Sequence, residues 1–219
     1  MKIICVIPAW NEAKHIIKVI NQVKAVVDDV IVIDDHSADN TFELAKSAGA
    51  FVLRHPINRG QGASLQTGTD KALKMGADII VHFDADDQFA ATEIIDVVAP
   101  IIKNEADIVF GSRFLGKKSN LPFSKKYIIL PLGRLLNHIL GAHTSDPQSG
   151  FRAYTKEVAN SFRIENNGMA HCSEILIKLS HSHWRIKEVP ITVTYHEYGQ
   201  KFSGGFRILK DLFISKLGQ

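Results

Sequence analysis

The sequence predicts an α/β fold in which a mostly parallel central sheet is flanked by helices, because three patterns occur together. Short, uninterrupted apolar runs indicate strands that are buried on both faces. These runs alternate with segments whose apolar residues recur every three or four positions, as in amphipathic helices. Polar and acidic residues follow the runs directly, as they do at the ligand-binding edge of an open α/β sheet.

The first elements establish the alternation. Residues 3–7 form an apolar run closed by Pro8, residues 16–27 have helical spacing, and residues 30–33 form a second run, which together make a βαβ unit. The same reasoning then predicts helices at 40–48, 65–75 and 92–103 and strands at 51–53, 79–83 and 107–110. Further along, it predicts a helix beginning at 169–176 and a strand at 191–195.

Polar residues are concentrated where four of these strands are predicted to end, at residues 8–12, 34–37, 84–86 and 111–113. The carboxyl ends of parallel strands meet at one edge of a sheet, so these residues are expected to lie near one another. Neither a Gly-x-Gly-x-x-Gly motif after the first strand nor a P-loop is present. A dinucleotide-binding site and a P-loop nucleotide site are therefore disfavoured.

Asp84 and Asp86 stand two residues apart where the fourth strand runs out. In extended backbone both carboxylates would point to the same side and could bind one Mg²⁺ or Mn²⁺, with Gln88 adding a neutral oxygen. A metal held by so few carboxylates completes its shell with substrate phosphates, which indicates a nucleotide diphosphate. The alternative is a solvated acidic turn, with Asp86 or Thr92 as the N-cap of the next helix.

Six short motifs occur in order, at residues 6–12, 33–37, 58–62, 84–86, 111–114 and 149–152. Together they resemble the motifs of GT-A glycosyltransferases of family 2, and within that family the dolichol-phosphate mannose synthase-like branch. The resemblance covers about residues 2–205. It implies a GT-A fold and an inverting transfer of a sugar from a GDP- or UDP-sugar to a membrane polyprenyl phosphate.

The resemblance also implies roles for individual residues. The base and ribose pocket would be lined by Pro8, Trp10, Glu12 and Asp35, and the metal would be held by Asp84, Asp86 and Gln88. Further donor or acceptor contacts are expected at Arg59, Gly60, Arg134, Arg152 and Lys201. The candidate catalytic residues are Asp86, Arg113, Asp146 and Glu174. For Glu174 the alternative is a partner of the helix dipole, and for Lys201 a plain surface lysine.

The class of acceptor determines whether a general base is needed. A hydroxyl acceptor requires one, and Asp146 or Glu174 is the candidate, whereas a phosphate is already ionised and needs cations to position it. A run of 22 residues without Asp or Glu, at 113–134, contains Arg113, Lys117, Lys118, Lys125, Lys126 and Arg134. This run favours contact with anionic lipid or an acceptor phosphate. Nucleic acid is disfavoured because the run lacks interleaved aromatic side chains.

Composition predicts one catalytic domain, at residues 1–205, followed by an amphipathic helix at 206–219. The chain has 219 residues, of which 45% are hydrophobic and 22% charged, enough for a full α/β core. No apolar stretch approaches the roughly 20 residues of a membrane helix. Cys5 and Cys172 fall in a predicted strand and helix, which favours a reducing cytoplasm over a disulfide framework. Peripheral attachment to the cytoplasmic face of a membrane, through a separate anchoring partner protein, is the expected localisation.

Three alternatives remain open from the residues. A family 2 enzyme could act on a saccharide or other hydroxyl acceptor, and a noncatalytic subunit could bind nucleotide sugar without turnover. A sugar-1-phosphate nucleotidyltransferase shares the general architecture, but its glycine-rich basic loop after the first strand is replaced here by residues 8–12.

Overall fold

The computed structural model describes residues 1–115, 144–168, 170–180 and 182–194. Three of the sequence predictions fall outside these residues: the basic run beyond residue 115, which includes Arg134, the predicted donor contact Lys201, and the amphipathic helix at 206–219.

The first half of the chain alternates strands and helices as predicted. Its elements are β1 (Ile3–Ala9), α1 (Ile16–Lys24), β2 (Asp29–Asp34), α2 (Thr41–Ser47), β3 (Phe51–Arg54), α3 (Gln61–Lys74) and β4 (Ile79–His82). A short 3-10 helix (Ala91–Glu93) then leads into α4 (Ile94–Ile102) and β5 (Ile108–Ser112). The later elements are β6 (Arg152–Thr155), α5 (Lys156–Ser161), α6 (His171–Ser180) and β7 (Ile186–Pro190).

The strands form one seven-stranded sheet in the order β3-β2-β1-β4-β6-β5-β7. Strand β1 lies parallel between β2 and β4, and β5 pairs in parallel with β7. Strand β6 is antiparallel to both of its neighbours, β4 and β5. The prediction of a mostly parallel sheet is confirmed, with one inserted strand of opposite direction.

The direction of β6 matters for the site. Its first residue, Arg152, pairs with His82 at the end of β4 and with Phe110 near the end of β5. The chain that precedes β6 therefore arrives at the edge where the parallel strands end. Residues 144–151 are brought to the same edge as the loops that follow β1, β2, β4 and β5.

The core explains why the first strands are continuously apolar. Alternate side chains of a strand point to opposite faces of the sheet. Cys5 and Ile7 pack with α1 and α4 on one face, and Ile4 and Val6 pack with α3 and α6 on the other. All four are fully buried. Burial of apolar surface on both faces stabilises the sheet by roughly 25 cal/mol per Å².

One predicted strand is wrong and two observed strands were not predicted. The predicted strand at 191–195 forms only an isolated antiparallel bridge, between Val193 and Phe89, among the described residues. The strand in this region is β7. It lies at the edge of the sheet and is not fully buried, so it can contain the charged residues Lys187 and Glu188 and has no continuous apolar run. Strand β6 has only four residues and begins with an arginine, so it also lacks the signal of a buried run.

Two smaller expectations can be compared with the described residues. Cys5 lies in β1 and Cys172 in α6, and both are buried free thiols. No helix within the described residues combines the length and the apolar character that crossing a bilayer requires.

Candidate active site

Asp35 follows β2 and connects it to the start of α3. Its carboxylate, which is 3% exposed, accepts hydrogen bonds from the backbone N–H groups of Arg59 at 2.9 Å and Gly60 at 2.6 Å. Nδ1 of His55 lies 2.7 Å from Oδ1 of the same carboxylate. Asp35 therefore holds the loop before α3 in place, and a nucleobase would have to share a carboxylate that already has three protein partners. The base contact of Asp35 stays a prediction.

The loop after β1 is joined to the loop after β2. The backbone N–H of Asn11 donates to Oγ of Ser37, and Oδ1 of Asn11 accepts from the N–H of Ala38. Pro8 is buried at the end of β1, whereas Trp10 is 56% exposed on this braced loop. A large exposed aromatic ring on a fixed loop is suited to stacking against a planar ligand.

Glu12 approaches the acidic motif from this loop. Burial, together with the negative charges of Asp86 and Asp39, raises the pKa of Glu12 to about 7. Glu12 and Asp86, which are separated by 74 positions in the sequence, are thus close enough to interact electrostatically. The predicted nucleotide pocket and the predicted metal site are neighbours.

Asp84 and Asp86 lie beyond β4, which ends at His82, so the expectation of an extended backbone at these residues is wrong. The chain bends here, and the two carboxylates interact in this bend. Burial first and then the charge of Asp86 raise the pKa of Asp84 to about 7, and burial raises the pKa of Asp86 as well. The alternative that Asp86 or Thr92 caps the next helix is also wrong, because the residue before α4 is Glu93 and no side chain caps that helix.

The neighbours of the two carboxylates come from distant parts of the chain. Nε2 of Gln61, the first residue of α3, donates to Oδ1 of Asp84 at 2.9 Å, and the N–H of Gln88 donates to Oδ1 of Asp86 at 3.1 Å. A Cβ added to Gly150 would lie 2.5 Å from Oδ2 of Asp84. A larger residue at position 150 would therefore require the carboxylate of Asp84 or the loop before β6 to shift.

The carboxylates fit a cation that is shared with substrate. A carboxylate whose pKa is raised by burial and by a second carboxylate nearby, as Asp84 is, would be stabilised in the ionised form by a divalent cation. Among the described residues no group of three or more His, Cys, Asp or Glu side chains is arranged to hold a metal. The protein would contribute two carboxylates, and a substrate would supply further oxygens, as Mg²⁺ and Mn²⁺ sites in phosphate-binding proteins require.

Arg113 and Asp146 form an ion pair at the end of β5. Nε and Nη2 of Arg113 lie 2.6 Å from Oδ2 and Oδ1 of Asp146, and the N–H of Arg113 donates to Oδ2 at 3.1 Å. Asp146 is 1% exposed, and the Arg113 side chain is 21% exposed. Asp146 thus uses both oxygens to fix the guanidinium of Arg113.

Arg152 is buried close enough to Asp84 to interact with it electrostatically, and its guanidinium is bound by neighbouring groups of the protein. Its Nη2 donates to the carbonyl of Ser149 at 2.9 Å and to Sγ of Cys172 at 3.1 Å. Burial alone would raise the pKa of Cys172, but His171 and Arg152 outweigh it and lower this pKa to about 6. Sequence reasoning did not connect Cys172 with the site, although its position two residues before Glu174 was a signal. The predicted substrate contact of Arg152 stays a prediction.

Glu174 lies in the first turn of α6, and its carboxylate has three donors. Oε1 accepts from the N–H of Glu165 at 2.9 Å, Oε2 accepts from the N–H of Asn166 at 2.8 Å, and Nζ of Lys178 lies 2.8 Å from Oε1. The two residues predicted as a general base, Asp146 and Glu174, are therefore both engaged by donors of the protein itself.

Comparison with known proteins identifies relatives of the whole chain. The model of the family described as "Glycosyl transferase family 2" matches residues 4–162. A UDP-N-acetylglucosamine–dolichyl-phosphate N-acetylglucosaminyltransferase of Methanococcus voltae is 34% identical, over 98% of this chain and 96% of its own length. An undecaprenyl-phosphate mannosyltransferase of Micrococcus luteus is 29% identical, over 94% of this chain and 89% of its own length.

A solved structure has a similar fold. The glucosyl-3-phosphoglycerate synthase of Mycobacterium tuberculosis, determined in complex with Mg²⁺ and UDP, superposes with a TM-score of 0.77. It is 22% identical, and the match covers 99% of this chain and 78% of the synthase. The predicted GT-A fold is confirmed.

Proposed function

Because this chain belongs to glycosyl transferase family 2, we propose that it transfers a sugar from a nucleotide-diphosphate donor, a GDP- or UDP-sugar, to a membrane polyprenyl phosphate. The names of two relatives that it matches over nearly their whole length, in Methanococcus voltae and Micrococcus luteus, include a polyprenyl phosphate acceptor. Both relatives transfer a sugar, N-acetylglucosamine in one and mannose in the other. The sugar of the present enzyme is left open.

The proposal of a phosphate acceptor depends on the observation that the carboxylates of Asp146 and Glu174 are already bound by other groups of the protein. A hydroxyl acceptor needs a carboxylate that is free to take its proton. Asp146 is bound through both oxygens to Arg113, and Glu174 is bound to two backbone N–H groups and Lys178. A phosphate acceptor loses most of its second proton below pH 7, since this pKa is about 6, and can attack without a base. The site is therefore better suited to a phosphate.

Asp84, Asp86 and Gln88 are proposed to hold Mg²⁺ or Mn²⁺ together with the donor diphosphate. A divalent cation held by these residues would stabilise the negative charge of the leaving diphosphate. The two carboxylates are close enough that burial and mutual repulsion raise the pKa of Asp84, so a cation between them would relieve that repulsion. The exposed ring of Trp10 and the loop held by Asp35 are proposed to receive the base and ribose, together with Pro8, Glu12, Arg59 and Gly60.

The proposed reaction is a single displacement at the anomeric carbon of the sugar. An oxygen of the acceptor phosphate forms the new bond to this carbon while the bond from the carbon to the diphosphate oxygen breaks. The bonding electrons leave with the nucleoside diphosphate, and the configuration at the carbon inverts. We propose that Arg113, which is held by Asp146, binds the acceptor phosphate. Further phosphate contacts are proposed for Arg134, Arg152 and Lys201.

We also propose that the enzyme works at the cytoplasmic face of a membrane, where a polyprenyl phosphate presents its head group. The basic run that begins at Arg113 would be attracted by anionic lipid, with about 1 kcal/mol for each cation near the surface. A separate membrane protein is proposed as an anchoring partner.

The decisive experiment measures nucleoside diphosphate release from UDP- and GDP-sugars, with and without a polyprenyl phosphate in detergent. Release that depends on the lipid phosphate, and a labelled sugar that moves into the lipid, would support the proposal. Efficient transfer to a soluble saccharide without lipid would indicate a hydroxyl acceptor instead. Pyrophosphate as the product would indicate a nucleotidyltransferase, and nucleotide-sugar binding without turnover in any combination would indicate a noncatalytic subunit.

A further inference from the structure

Glu174 connects α6 to the start of α3 through the segment formed by residues 165–167. We propose that Glu174 is a positioning residue of the donor site: it holds segment 165–167 against residues 60–62 at the start of α3, and residues 59–61 fix Asp35 and Asp84. The inference rests on the proposed function for the identity of the ligand, a nucleoside diphosphate with a divalent cation.

The first link is between Glu174 and segment 165–167. Each oxygen of the carboxylate accepts one backbone N–H, from Glu165 and from Asn166, and the Glu174 side chain is only 16% exposed. Hydrogen bonds to a charged acceptor are stronger than neutral ones, and here two of them hold consecutive residues. Oδ1 of Asn166 also accepts from the N–H of Gly168 at 3.0 Å, which closes the segment into a compact turn.

The second link is direct backbone contact between this segment and α3. The N–H of Gly62 donates to the carbonyl of Asn167 at 3.0 Å. A Cβ added to Gly62 would lie 2.0 Å from the carbonyl oxygen of Asn166, and one added to Gly60 would lie 2.2 Å from that of Asn167. The two glycines are thus required for the segment to approach this closely.

The third link is from residues 59–61, where α3 begins, to both acidic groups of the predicted donor site. The N–H groups of Arg59 and Gly60 bind the carboxylate of Asp35, and the side-chain amide of Gln61 binds Asp84. Three consecutive residues therefore span the predicted nucleoside pocket and the predicted metal site. A shift of residues 59–61 would therefore change the positions of the Asp35 and Asp84 carboxylates together.

A carboxylate is needed at position 174 because two N–H donors must be accepted at once. Glutamine offers one acceptor oxygen, and its NH₂ group would face the second N–H. In Glu174→Gln the segment should therefore loosen, and the affinity for nucleoside diphosphate should fall about tenfold, as expected when one charge-assisted hydrogen bond is lost. A general base would give the opposite pattern, with unchanged affinity and reduced kcat.

The test is calorimetric titration of UDP and of GDP in the presence of Mn²⁺ and without any acceptor. Glu165→Gln is the matched control, because Glu165 also pairs with Lys178, at 3.2 Å, but its side chain is 78% exposed. Like Glu174→Gln, Glu165→Gln removes one negative charge beside Lys178, but it should leave the affinity for nucleoside diphosphate unchanged. Gly62→Ala, which displaces the segment from the opposite side, should weaken binding as Glu174→Gln does, and it tests the contact if Glu174→Gln does not fold.

Amide hydrogen exchange provides a readout that needs no ligand. The N–H groups of Glu165, Asn166 and Gly62 should exchange faster in Glu174→Gln than in the parent or in Glu165→Gln. Unchanged exchange, or unchanged nucleotide affinity with reduced kcat, would overturn the inference. If the parent binds neither UDP nor GDP, the proposed function fails, while the exchange rates still decide whether Glu174 holds the segment.

Discussion

Arg113 and Asp146 form three contacts across 33 positions of sequence, two through the guanidinium and one through the backbone N–H of Arg113. The same pattern occurs at the other end of β5. There, Nε, Nη2 and the backbone N–H of Arg185 bind Asp107 at 2.8–3.0 Å. The two pairs differ in exposure. The side chains of Arg113 and Asp146 are 21% and 1% exposed, whereas those of Arg185 and Asp107 are 48% and 19% exposed. Of the two pairs, only the buried one lies at the edge where the parallel strands end.

Asp146→Asn should lower the free energy of unfolding by about 3 kcal/mol, because it removes a buried negative charge to which the guanidinium and the backbone N–H of Arg113 are bound. Asp107→Asn has the same contacts near the surface and should cost clearly less, since water screens the pair. Denaturant unfolding of both variants measures the difference. If Asp146→Asn is as stable as the parent and loses only turnover, Asp146 acts as a base and its structural role is wrong.

The sequence was sufficient to predict the site edge but not the partners within it. Continuous apolar runs identified β1, β2 and β4 because these strands are buried on both faces, and the polar residues after them do follow the strand ends. The partner of Asp146 and the contact between α3 and residue 167 were not predictable, since Arg113 lies 33 positions from Asp146 and Gly62 lies 105 positions from Asn167. The Arg113–Asp146 pair depends on β6 entering the sheet in the opposite direction, and β6 has no apolar run to reveal it.

Binding of Mn²⁺ with a nucleoside diphosphate should weaken as the pH falls below about 7. The pKa of Asp84 is raised to about 7 by burial and by Asp86, so a proton competes with the cation in this range. The affinity should fall by up to about tenfold per pH unit for one competing proton. Titrations at pH 6, 7 and 8 measure this, with Asp84→Asn as the control for protonation of the nucleotide itself. Equal affinity at pH 6 and pH 8 would contradict the assignment.

Asp84→Asn should stabilise the metal-free protein at pH 8. The pKa of Asp84 is about 7 in the folded protein and 3.8 in the reference state. Between these values the folded protein holds a proton that the unfolded chain releases, so stability falls as the pH rises from about 4 to about 7. Asparagine cannot ionise and keeps an oxygen for the Gln61 amide. A gain of about 1 kcal/mol corresponds to a rise of about 2–4 °C in Tm for a chain of this size.

The stability comparison has an internal control of opposite sign. Asp107→Asn should destabilise the protein at pH 8, because hydrogen bonds from Arg185 lower the pKa of Asp107 and favour its ionised form. Thermal unfolding with a chelator, at pH 4 and pH 8, measures both variants. A lower Tm for Asp84→Asn at pH 8 would show that its charge is already compensated in the metal-free protein.

Gly150→Ala should weaken metal-dependent nucleotide binding by at least about tenfold, as is typical when the surroundings of a metal ligand are disturbed. The new Cβ would lie 2.5 Å from Oδ2 of Asp84, so the carboxylate or the loop must move. Gly168→Ala is the control, because among the described residues its Cβ would meet only Oδ1 of Asn166, at 3.6 Å, an ordinary contact. Calorimetry with Mn²⁺ and UDP or GDP distinguishes the two. Normal binding by Gly150→Ala would mean that Asp84 is not a ligand.

The pH dependence of turnover should report the ionisation of the acceptor and not that of a carboxylate base. The second pKa of a phosphate monoester is about 6, so kcat/KM for the polyprenyl phosphate should rise with pH to about 6 and then level off, when metal and donor are saturating. Asp146 and Glu174 are engaged by Arg113, by backbone N–H groups and by Lys178. Their replacement by amides should therefore leave the midpoint unchanged, whatever the height of the plateau. A midpoint that disappears in Asp146→Asn or in Glu174→Gln would identify that residue as a base, and the acceptor would then be a hydroxyl.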